Sequence, residues 1–196
     1  MALLKTFAFT TFPGARDAAW LWLVLGLLAS ATLLGTPLTT SREYQIKAVF
    51  LFNFAQFVEW PPDTLAQAQT PLVIGVLGDD PFGSALDDTV RNEKVGEHTL
   101  VIQRYRRPED INTCHILFIS PSESARLEHT LAVLKDRSVL TVCDADGFAA
   151  RGVMIRFLTE SNKIRLRINL GAVKSAGLTI SSKLLRPAEI INGPNP

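Results

Sequence analysis

The sequence predicts a single α/β domain with a mostly parallel central sheet flanked by helices and a C-terminal antiparallel β-hairpin. Three observations predict it. The continuous apolar runs Leu72–Leu77 (LVIGVL) and His115–Ile119 have the length of strands and the composition of strands covered on both faces. Each is followed by a polar, proline-bearing turn and then a segment of helical periodicity, an alternation that argues for parallel βαβ units. Past Cys143 the pattern changes to two apolar stretches around Thr159-Glu160-Ser161-Asn162, a polar turn of hairpin length. With 196 residues, 47% of them hydrophobic, the chain has room for one domain and a sizeable core.

Residues 1–36 are different in kind. Lys5 and Arg16 precede Ala18–Leu34, an almost unbroken apolar run, and Ala29-Ser30-Ala31 offers a small-x-small cleavage site. This is the layout of a secretory signal peptide; the other reading is an uncleaved N-terminal anchor in the inner membrane. Either way the remainder, a domain over residues 37–191 and a disordered tail over 192–196, is placed outside the cytoplasm. Without the leader and its Lys5, Arg16 and Asp17, 18 basic and 18 acidic residues remain, and the formal charge falls from +1 to zero. A neutral exported chain is a poor partner for nucleic acid.

The mature chain opens on Arg42–Pro62 (REYQIKAVFLFNFAQFVEWPP), which carries much of its aromatic mass. On a helical wheel Ile46, Phe50, Leu51, Phe54, Phe57 and Val58 cover one broad side, and Gln45, Gln56 and Glu59 share the other. So wide an apolar arc predicts a core helix, stopped by Pro61-Pro62. Lys47 falls inside the arc, either reaching out to water or pairing internally with a carboxylate. Phe52 and Trp60 sit near the polar margin and are candidate anchors for a partner.

Asp63–Pro71 is a polar linker before the Leu72–Leu77 strand. Asp80 then suits a helix N-cap and Pro81 the first helical position, for a helix to about Val90. Gly96–Arg106 is a second strand and Pro108–Asn112 a short turn or helix. After His115–Ile119, Ser120-Pro121-Ser122-Glu123 has the spacing of a capping box for a helix to about Lys135. Val139–Cys143 is the next strand, ending in Asp144-Ala145-Asp146-Gly147. In Lys163–Leu170 the residues Ile164, Leu166 and Ile168 alternate with Lys163, Arg165 and Arg167, which predicts one buried and one solvated face. Ala172–Gly177 is a short helix with a glycine stop, and Ser181–Ile191 holds one more ending near Pro187.

Two cysteines in an exported chain suggest a disulfide. Cys114 starts one strand and Cys143 ends another, however, so in a parallel pair the sulfurs lie about 15 Å apart at ~3.3 Å per residue. A disulfide needs Cα atoms within roughly 7 Å. Both thiols are therefore expected to be unpaired and buried.

In a parallel sheet Asp79, Asp80, Ser120, Ser122, Asp144 and Asp146 all lie at the carboxyl edge, where open α/β sheets place ligands. They form a polar crevice, or they serve only as caps and turn formers. Four aspartates oppose an anion, and no metal or cofactor is assigned. The histidines (His98, His115 and His129) compose no catalytic grouping, and Cys114 and His115 point to opposite faces of a strand. No enzyme is expected. Lys163, Arg165 and Arg167 form a basic ladder that Arg156, Arg104 and Arg106 would extend. It either protects an edge strand or docks an acidic partner.

Five blocks in order, YQIKAVFLFNFAQFVEWP, GVLGDDPFG, CHILFIS, LTVCDADGF and IRLRINLGAVKSAGLTISSKLLR, resemble the YfiR family over Tyr44 to about Arg186. The resemblance implies a bacterial periplasmic protein with an α/β fold that is not itself an enzyme. The founding member represses the membrane diguanylate cyclase YfiN by binding its periplasmic part, and the outer-membrane lipoprotein YfiB releases it. Members also stand beside other receptors and transporters. The founding member uses two disulfides, so with two cysteines here four-cysteine redox control does not transfer. The expectation is a non-enzymatic periplasmic repressor that acts on a membrane signalling protein, in cyclic-di-GMP control. An outer-membrane lipoprotein is a second partner, and a homodimer stays open. The alternative is a periplasmic small-ligand-binding domain that uses the acidic carboxyl-edge crevice.

Overall fold

Helix α1 (Thr40–Phe57) turns Lys47, Ala48, Leu51, Phe54 and Ala55 into the protein and leaves Gln45, Val49 and Gln56 exposed. It belongs to a computed structural model that describes residues 40–65 and 70–191. The leader over 1–36 and the tail over 192–196 lie outside the described residues. The helix ends before its prolines rather than at them. Val58–Glu59 is already extended as β1, which pairs antiparallel with β9 (Thr179–Ile180). A β-branched residue and the approach of Pro61 both favour that extended backbone.

The main sheet has eight strands in the order β10 (Glu189–Ile191), β8 (Lys163–Asn169), β7 (Ile155–Glu160), β6 (Leu140–Cys143), β5 (Ile116–Ile119), β2 (Leu72–Leu77), β4 (His98–Tyr105) and β3 (Lys94–Val95). Parallel pairing links β4, β2, β5, β6 and β7. Strands β7 and β8 form the expected antiparallel hairpin, and β3 pairs antiparallel with β4. The fold is thus the mixed α/β domain that the sequence predicts.

The apolar runs of β2, β5 and β6 are continuous because both faces are covered. Ile74, Val76, Ile116, Phe118, Leu140 and Val142 pack in the larger core with Leu51 and Phe54 of α1. Leu77, Leu117, Ile119 and Cys143 pack in a second core with Leu127, Leu134, Phe148 and Val153. The second layer is made by a 3₁₀ turn (Pro121–Arg126), helix α3 (Leu127–Val133) and the loop before β7. Helix α2 (Ser84–Val90) lies against α1 and β4.

Three local expectations are corrected. Helix α2 starts at Ser84, not at Pro81. Asp80 instead accepts the Phe82 N–H at 2.8 Å in a local turn. Ser120 makes no side-chain cap bond, because six residues of 3₁₀ turn precede α3. The last segment is helical only over α5 (Ser182–Leu185), and Glu189–Ile191 adds β10 in parallel to β8. Helix α4 (Leu170–Ser175) is present as expected, with Asn169 accepting the Ala172 N–H at 3.0 Å. Among the described residues no helix is long and apolar enough to cross a membrane.

Candidate functional site

The strand order reverses at β2. The chain passes from β2 to β4 on one side, then to β5 and β6 on the other. Ligands of open α/β sheets sit at such a switch point, outside the carboxyl ends of the strands. Here that point is closed by the protein itself. The Ser122 hydroxyl accepts the Asp79 N–H at 3.0 Å, and the Ser120 N–H donates to the Leu77 carbonyl at 3.0 Å. Gly78 has φ +88°, and a Cβ there would stand 2.5 Å from Ser122 Oγ and 2.9 Å from the Glu123 side chain. Ser120 and Glu123 are both buried, and Glu123 pairs with Arg126 at 2.7 Å.

Three of the four aspartates at this edge are held by cations of the same chain. Asp80 accepts Arg104 Nε at 2.7 Å, and Arg104 also reaches Asp87 at 2.5 Å and the Gly83 carbonyl at 3.0 Å. Arg104 keeps the Asp87 carboxyl below its ordinary value despite partial burial. Asp144, at the end of β6, accepts Lys47 Nζ at 2.6 Å and the Tyr44 hydroxyl at 2.7 Å. Lys47 also pairs with Glu43 at 2.6 Å and lies 4.3 Å from the Tyr44 ring centroid. Of the two fates that the sequence leaves open for Lys47, internal pairing is the one observed. Burial raises the Glu43 carboxyl, but Lys47 and the Thr159 hydroxyl outweigh it and hold the group below its ordinary value. Burial, with Asp144 beside it, pushes the Tyr44 hydroxyl well up. Asp146 pairs with Arg156. Asp79 is exposed and contributes its backbone N–H. Apart from Asp79, the carboxylates of the edge are neutralised from within, with the Oδ1 of Asp144 buried and unpaired among the described residues.

The six basic candidates do not form one patch. Arg104 is in register with Val76, on the α1 side of the sheet, while Arg156 is in register with Cys143, on the other side. Arg106 is exposed just beyond β4. On the hairpin, Arg156 stands opposite Arg167, Leu158 opposite Arg165 and Glu160 opposite Lys163. Arg167 is paired with Glu189 of β10 at 2.8 Å. Lys163 and Arg165 are exposed and have no ionic partner among the described residues. They stand out as free cations on a strand whose other face is core.

Phe52 and Trp60 both pack against the larger core. The Trp60 ring meets the His115 ring edge-on, with centroids 6.2 Å apart. The apolar residue that α1 exposes is Val49, at 47%. The wheel contains that signal, since Val49 falls beside Gln56 on the polar side.

Cys114 and Cys143 are free and buried, and burial pushes each thiol up to about 12. The Cys114 thiol donates to the Ile116 carbonyl at 3.1 Å. His115 Nδ1 accepts the Val73 N–H at 3.0 Å, and burial lowers its pKa. Neither thiol is poised as a nucleophile, since the thiolate is the reactive form. Among the described residues no group of three or more His, Cys, Asp or Glu could hold a metal ion.

Among known protein families, the family model described as YfiR/HmsC-like matches residues 44–189. No curated protein matches the chain.

Proposed function

Because the chain belongs to the YfiR/HmsC-like family, we propose that it is a non-enzymatic periplasmic regulator that binds the extracytoplasmic part of a membrane signalling protein. The family is a regulatory one. By that kinship the partner is a diguanylate cyclase of the YfiN type, and the output is the level of cyclic-di-GMP. An outer-membrane lipoprotein is the counterpart that would release the regulator.

One observation carries the choice of a binding role: Lys163 and Arg165 stand exposed and unneutralised on β8, while the neighbouring Arg156 and Arg167 are spent on Asp146 and Glu189. Free rim charges raise association rates with an oppositely charged surface and set which partner is accepted. The partner's contact surface is therefore acidic. The alternative, a ligand in the carboxyl-edge crevice, draws less support. Asp80, Asp144 and Asp146 already hold Arg104, Lys47 and Arg156. A ligand there would first have to displace those cations.

Affinity capture from detergent-solubilised membranes tests the reading. The wild-type chain should recover a membrane receptor or cyclase, and the double variant Lys163→Glu/Arg165→Glu should recover at least about tenfold less, in line with reversing two rim charges. The melting temperature should hardly move. Equal capture by the two proteins overturns the basic face as the docking surface. A co-purified small molecule without a protein partner overturns the regulator reading in favour of the ligand binder.

A further inference from the structure

At the amino edge of the sheet, opposite the edge just described, a trough of about 410 Å³ runs between the end of α3 and the side of α4. Leu131 and Met154 line it, together with the small side chains Ala172, Ser175 and Ala176. A second hollow sharing Arg151, Gly152, Ala172 and Ser175 continues it toward Gly171. The volume is in the range of small-molecule sites.

The rim is basic. Lys135 is exposed with no partner among the described residues. Arg137 gives its guanidinium to the main-chain carbonyls of Ile111 and Asn112, at 2.8 and 3.0 Å, so its charge meets no carboxylate. Arg151 is neutralised by Glu128 at 2.6 Å, and Asp136 is the one acid in the lining. The ends of α3 and α4 add at most about half a negative charge each. A second feature points to a ligand oxygen. Thr141, 2% exposed, accepts the Met154 N–H at 3.1 Å, so its own hydroxyl hydrogen has no acceptor among the described residues. Thr141 is among the residues that line the trough.

We propose that the trough binds a medium-chain aliphatic carboxylate. The methylenes lie along Leu131 and Met154, and the carboxylate lies between Lys135, Arg137 and the Thr141 hydroxyl. The proposal does not depend on the regulatory reading above. Each added methylene should tighten binding about fourfold, the worth of one buried CH₂.

Photo-crosslinking of the full chain with a diazirine-bearing decanoate, followed by peptide mass spectrometry, tests it. Label is expected on the peptides that hold Leu131, Met154 and Ala172. Decanoate should compete for it, octanoate should compete about fifteenfold more weakly, and decyltrimethylammonium should not compete. Ala172→Trp, which fills the trough, should abolish the label. Lys135→Glu changes an exposed, unpaired residue, so its folding is safe; at a sub-saturating probe concentration it should lower the label about tenfold. Label confined to other peptides, equal competition by the cationic amphiphile, or label unchanged in Lys135→Glu each overturns the proposal.

Discussion

The ammonium of Lys47 lies 2.6 Å from a carboxylate oxygen of Asp144, 97 residues further along the chain. Both side chains are almost fully buried, at 4% and 6% exposed. This pair fastens helix α1 to the end of strand β6, and Tyr44 and Glu43 complete the cluster from the same turn of the helix. One cation is shared by two carboxylates, so removing it strands two charges rather than one.

Lys47→Ala should therefore cost about 3–5 kcal/mol, the penalty for breaking a buried pair from one side. Lys47→Met combined with Asp144→Asn should cost clearly less than the sum of the two single changes, because Asp144 then leaves no buried charge behind and only Glu43 loses its cation. Urea unfolding of the four proteins in this cycle gives the coupling. Strict additivity would mean that the pair does not act as a unit.

Glu43 sets an acid limit. Its folded pKa lies below the ordinary carboxylate value of 4.5, so the unfolded chain takes up the proton first. The stabilisation is present above about pH 4.5 and is lost as pH falls through the depressed folded value. Glu43→Gln should be less stable than wild type at neutral pH, and the gap should close below about pH 4.5. Unfolding free energies measured from pH 3 to 7 would show it, and a gap constant with pH would contradict it.

Much of the fold was legible because burial leaves a compositional mark. Leu72–Leu77 and His115–Ile119 read as strands covered on both faces, and the two cores show why. Strand β10 was not legible. Glu189–Ile191 is three residues long, too short for a period, and its place beside β8 is decided by tertiary pairing. The site was half legible. The aspartates do gather at the carboxyl edge, as the βα pattern requires. Their partners could not be read from sequence, because Arg104 lies 24 residues from Asp80 and Lys47 lies 97 from Asp144. The same limit applies to Arg104 and Arg156. Both are basic strand residues, but strand order and register put them on opposite faces of the sheet.

The two thiols set an alkaline limit. Each folded pKa is pushed from an ordinary 9.0 up to about 12, so the folded chain keeps protons that the unfolded chain gives up. Stability is full below about pH 9 and falls as pH rises toward 12. Cys114→Ala/Cys143→Ala should lower stability at pH 7 but flatten the decline between pH 9 and 10.5. In the native protein at pH 8 a thiol reagent should modify both cysteines only at the rate of unfolding. Rapid modification without denaturant would place at least one sulfur at the surface.

Gly78 is where the switch point is sealed, and its replacement should be expensive for two separable reasons. Its φ of +88° is strained for any side chain, a cost of about 1–3 kcal/mol. In addition, a Cβ would press on Ser122 Oγ at 2.5 Å. Gly78→Ala should therefore cost more than the backbone term alone. Ser122→Ala should by itself cost about 1 kcal/mol, since it loses one hydrogen bond to the Asp79 N–H. In the double variant the contact with Oγ is absent, so the combined cost should fall short of the sum by about 1 kcal/mol or more while the backbone term persists. Thermal or urea unfolding of the three variants separates the two terms. A Gly78→Ala protein as stable as wild type would show that the turns after β2 and β5 can part at little cost. The carboxyl edge would then be an openable crevice rather than a closed seam.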